Sequence, residues 1–156
     1  MPLLPFFKWC DTTFLANWVR DSQYIFPALE GVHILALAVL LGTVITVALR
    51  LLGKGLTGQT VPEVYRQLSR MRNGGLCVIV ATGIPLFCSE AMKAYENPPF
   101  WFKMESLAVA ILFQYTVVRW AATRETPVRW RDGLVGILSL VFWFSVGVGG
   151  RAIGFY

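Results

Sequence analysis

The chain has 156 residues, of which 56% are hydrophobic and 15% charged, with a net charge of +5, and its mean hydropathy is +0.58. That balance excludes an ordinary water-soluble domain and leaves no polar segment large enough for a second one. The expected fold class is all-α: an integral membrane four-helix bundle with a short N-terminal interfacial helix, one transmembrane domain over 1–156.

The interfacial helix is expected within Cys10–Ser22, where Asp11 or Thr12 can cap a turn whose Phe14, Leu15, Trp18 and Val19 make one apolar face. Four spans follow at about 27–50, 74–92, 104–122 and 133–153, each close to the ~20 residues a bilayer core requires. Span one carries Glu30 and His33 and has no small-residue cleavage site, so it reads as retained and not as a removable signal. Pro27 suits its first turn, and Gly53 is expected to end it. Pro62–Arg72 reads as a separate basic amphipathic helix on the cytoplasmic surface, and Gly83 with Pro85 predicts a kink in span two. A tight aromatic loop, Tyr95–Phe102, leads to Lys103. Span four holds Gly133, Gly136, Ser139, Gly147, Gly149 and Gly150, and its Phe142, Trp143 and Phe144 are expected to lie exposed beside that seam, so a homo-oligomer is predicted.

Basic residues in short loops set orientation. Lys54, Arg66, Arg70 and Arg72 crowd the first loop and Arg124, Arg129 and Arg131 the third. Both loops are therefore assigned to the cytoplasm, which places the two termini and the middle loop outside. The positive charge is assigned to topology and anionic lipid, the bilayer being the first partner and nucleic acid none.

This orientation collects the ionisable residues of the spans at the outer side: Glu30, His33, Glu90, Lys93, Lys103, Glu105 and Arg151. His33 is the sole histidine, and an imidazole at membrane depth is costly unless it serves a purpose. Three readings compete. In the first, His33 is the metal ligand of haem b, with Lys93, Lys103 or Arg151 pairing with the propionates and Glu30 one turn away. In the second, Glu30, Glu90 and Glu105 titrate in a proton- or cation-linked site. In the third, the charges pair near the headgroups and His33 bonds a neighbouring helix to stabilise packing. Cys10, Cys77 and Cys88 have no metal spacing and read as small packing residues.

The pattern Trp9-Cys-Asp-Thr-Thr, Arg20-Asp-Ser, Pro27-Ala-Leu-Glu30-Gly-Val-His33 and Leu49-Arg50-Leu-Leu-Gly53 resembles a bacterial family of four-span membrane proteins of unknown function. His33, with Asn97-Pro-Pro-Phe-Trp-Phe-Lys103-Met, is also distantly similar to the J-type protoporphyrinogen oxidases and the copper-resistance D-type membrane domains. That resemblance implies a b-type haem on His33 and a functional Lys103, while further histidines of those proteins are absent here. The resulting expectation is a cytochrome-like haem protein in electron transfer near the outer leaflet, with a periplasmic or quinone redox partner. The alternative is a non-redox membrane subunit or ion-linked transporter. Whether the chain is an enzyme stays open, since it shows no nucleophile or oxyanion fingerprint.

Overall fold

The computed structural model describes residues 3–124, 126 and 128–155. Those residues form helices α1 (Leu4–Asp11), α2 (Phe14–Arg20), α3 (Ile25–Leu51), α4 (Val61–Ser89), α5 (Ala91–Glu96), α6 (Pro98–Phe113), a π-helical turn at Gln114–Val118, α7 (Arg119–Thr123) and α8 (Arg129–Ala152), with no strand among them. Four stretches are long and apolar enough to cross a membrane: Ile25–Leu51, Val61–Ser89, Pro98–Thr123 and Arg129–Phe155.

Local chemistry fixes the helix ends. The Thr13 hydroxyl caps α2 by accepting from Ala16 N at 3.2 Å, so the cap is one residue beyond the two expected. Gly53, at φ 72°, takes the left-handed conformation that terminates α3. Thr60 and Glu63 form a reciprocal capping box at the start of α4. That box lets α4 begin at Val61 and run unbroken to Ser89, so the basic segment Pro62–Arg72 is the first part of span two and not a separate surface helix. The α4 helix also continues through Gly83 and Pro85. Asn97 caps α6 by accepting from Phe100 N at 3.2 Å, with Pro98 in the first turn, where a missing N–H costs nothing.

The long helices pack antiparallel, α3 against α4 and α8, and α6 against α8. Gly75 sets its hydrogen where a Cβ would lie 3.3 Å from Ala36 O, and Gly136 admits Ala48 O at 2.8 Å from the same position. Both permit the close backbone approach that holds helices together in lipid, where hydrophobic transfer offers no drive. Three buried clusters stack along the bundle. Val47, Leu51, Val64, Tyr65, Val118 and Val135 fill the arginine-rich end. Leu40, Val44, Ile79, Ala110 and Trp143 fill the middle. Phe7, Cys10, Ala16, Cys88 and Ala91 close the other end, where the N-terminal helices cover the bundle. The expectation that Trp143 is exposed is corrected: it is 3% exposed in the middle cluster, while Phe144, one residue on, is 75% exposed. Trp143 is in phase with Gly136 and Ser139, so the small-residue face of α8 is largely covered by α3 and α6 of the same chain.

Candidate functional site

Helix α3 places His33 about two turns from its start, facing α4 at Thr82 and Gly83. His33 Nδ1 and Thr82 Oγ1 are 2.8 Å apart, and the Thr82 hydroxyl also reaches Val78 O at 2.7 Å. A hydroxyl has one proton, and the carbonyl of the preceding turn takes it. In the tautomer where that proton stays directed at Val78 O, His33 Nδ1–H donates to Thr82 Oγ1 and Nε2 keeps its lone pair in the neutral ring. Gly83 makes the close seat possible, since a Cβ there would come within 3.3 Å of His33 Cε1.

Lys103 stands in the second turn of α6. Its stem lies on α8 where side chains are missing: a Cβ on Gly149 would approach Lys103 Cβ at 3.1 Å, and one on Gly150 would be 3.8 Å from Lys103 Nζ. The ion pairs among the described residues are Arg20–Asp11, Lys93–Glu90 and Arg124–Asp132. None includes Lys103, so no carboxylate among the described residues pairs with its ammonium.

The other expected site residues do not converge on this pair. Lys93 is bound to Glu90 at 2.6 Å and is largely in the open. Arg151 is exposed and stacks on Phe155, its guanidinium carbon 4.9 Å from the ring centre. Glu30 and Glu105 are exposed on α3 and α6. An apolar groove of about 280 Å³ runs along the α3–α4 seam, lined by Val32, Leu35, Ala36, Val39, Gly75 and Val78 and by neither His33 nor Thr82. Val32 and Ala36 adjoin His33 along α3, and Val78 is one turn from Thr82. No group of three or more His, Cys, Asp or Glu side chains gathers among the described residues, so any metal here would rest on the imidazole with non-protein or non-acidic donors.

Two polar features escaped sequence reasoning. Arg72, expected on a surface helix, is 4% exposed and lies between Tyr65 and Tyr115, 4.5 and 5.2 Å from their ring centres. Asp132 is equally buried and holds both the Arg124 guanidinium and Val128 N, the latter at 2.9 Å. Both stand at the arginine-rich end, where positive charge had been read as topological only.

Described residues that are helical throughout, with four helices long and apolar enough to cross a membrane and one imidazole anchored between two of them, define a class of small helical proteins with four potential spans. This chain belongs to the family of unknown function DUF6644, which matches residues 6–156. No curated protein and no solved structure matches it.

Proposed function

We propose that this is a bacterial inner-membrane protein with both termini in the periplasm, binding haem b through His33 in the outer half of the bundle and serving electron transfer. The observation that carries the reading is the Thr82 anchor on Nδ1, which orients the ring and reserves Nε2 as a donor. Imidazole ligands of metals are characteristically held this way through their other nitrogen. The donor set fits one axial position. When bound, haem supplies one-electron chemistry at a potential set by its ligands and surroundings. Lys103, which has no ion pair among the described residues, is the cation that would pair with a propionate, ahead of Lys93, which is engaged by Glu90, and of Arg151, which stacks on Phe155. The α3–α4 groove offers an apolar wall one turn from the imidazole. At about 280 Å³ it lies just below the roughly 300–1,000 Å³ of enclosed ligand sites, so a second subunit or lipid must complete the enclosure, consistent with a homo-oligomer. The proton- or cation-linked reading is weaker, because Glu30, Glu90 and Glu105 do not gather around His33.

The test is haemin titration of the detergent-purified protein, followed by its Soret band. Wild type is expected to bind stoichiometrically, His33→Ala to lose the band, and Thr82→Val to bind more weakly with a shifted spectrum. Folded wild type that takes up no haem would leave His33 as a packing residue.

A further inference from the structure

The chain carries three cysteines, and the fold treats them differently. Cys77 is exposed, whereas Cys10, on the last turn of α1, and Cys88, next to the end of α4, are both buried free thiols. These two lie near each other in one buried cluster with Phe7, Ala16 and Ala91.

A second feature holds the same two backbones together. Arg20 donates from Nη2 to the Asp11 carboxylate at 2.7 Å and to Asp11 O at 3.3 Å, and from Nε to Ser89 O at 3.2 Å. Asp11 and Ser89 are the immediate neighbours of Cys10 and Cys88. One guanidinium thus clamps the residues flanking both thiols, and Thr13 Oγ1 ties down Cys10 O at 2.7 Å. Such registration of two chain segments is what a disulfide demands, since its geometry tolerates little backbone movement.

We propose that Cys10 and Cys88 are a disulfide-forming pair that staples the N-terminal helices to the end of α4. The in-cell bond rests on the orientation proposed above, which puts this end of the bundle in the oxidising periplasm. In the reaction, a disulfide oxidant exchanges with the pair: the Cys10–Cys88 S–S bond forms, the oxidant's S–S bond breaks, and its two sulfurs leave as thiols with the two protons and two electrons. Burial and the neighbouring Cys88 push the Cys10 thiol above its usual range, which makes it a slow nucleophile once α1 is seated. The exchange is therefore faster before α1 docks than after it, and the finished bond is shielded from reductants.

Denaturing alkylation counts the free thiols by mass. Protein taken directly from cells is expected to gain one alkyl group, on Cys77, before reduction and three after it. Cys10→Ser and Cys88→Ser should each give two before reduction. Purified, reduced wild type treated with diamide is expected to return to one, whatever the compartment. A folded wild type that still gains three groups after diamide overturns the pairing itself. A diamide-competent protein that gains three from cells overturns the in-cell bond. In that case Glu96→Cys labelling from outside separates the causes: an accessible probe leaves the orientation standing, and an inaccessible one shows that the orientation fails as well.

Discussion

Gly136 gives the sharpest test of how the bundle is held together. An added Cβ would lie 2.8 Å from the carbonyl oxygen of Ala48 and 3.4 Å from both Leu51 Cβ and Leu52 Cγ. The nearest atom is backbone and cannot turn aside, so Gly136→Ala must push α8 away from α3. Overpacking of this kind costs about 1–3 kcal/mol, against which alanine returns roughly 1 kcal/mol of helix propensity. The expected net loss is about 0–2 kcal/mol, and about 1–3 kcal/mol relative to the same change at an open position. Gly147 supplies the control on the same helix, because a Cβ there meets nothing within 4 Å, and Gly147→Ala is expected to be neutral or slightly stabilising. Reversible unfolding in mixed micelles, or steric trapping in bicelles, reads both. If Gly136→Ala matches Gly147→Ala, the α3–α8 contact is not where the structure puts it.

Asp132→Ala should destabilise by roughly 3 kcal/mol in the same assay, because it strands a guanidinium whose partner side chain is only 5% exposed. For the reduced protein, the raised Cys10 pKa means that folding favours the thiol over the thiolate. That contribution is complete below the ordinary thiol range and is lost as pH rises through the elevated folded value. Melting of reduced wild type should therefore fall more steeply at alkaline pH than that of Cys10→Ser, and equal slopes would contradict the buried placement. Orientation is read with impermeant maleimide on single cysteines at Thr57, Glu96 and Thr126 in a Cys77→Ser background, all three positions being exposed. Only Glu96→Cys should label in intact cells, and labelling of either of the others instead would turn the site toward the cytoplasm.

What could be read from the chain was whatever is local. Hydropathy over about twenty residues located the four long helices, and Gly53 marked the end of α3 as expected. The Thr60–Glu63 capping box was equally visible in the letters, yet the basic composition of Pro62–Arg72 suggested a loop helix, and the cap prevailed. Trp143 was misplaced by composition, since three aromatics in a row suggest a lipid face. Its phase with Gly136 and Ser139 predicts the burial that is observed. His33 was legible as a lone imidazole at membrane depth, but Thr82 is 49 residues away, and no periodicity links them. The same holds for Cys10 and Cys88, brought together by an arginine that reads in isolation as a surface charge. Lys103 stood out by type and position, whereas the lack of a carboxylate beside it depends on which faces of α4 and α6 turn inward.

Haem ligation by His33 Nε2, as proposed, is read by the pyridine haemochrome of protein purified from cells supplied with ample haem precursor. Wild type is expected to carry haem b in fixed stoichiometry with the chain, and a His33→Ala protein of matching helicity and monodispersity to carry none. Colourless, well-folded wild type, or equal haem content in both, would contradict it.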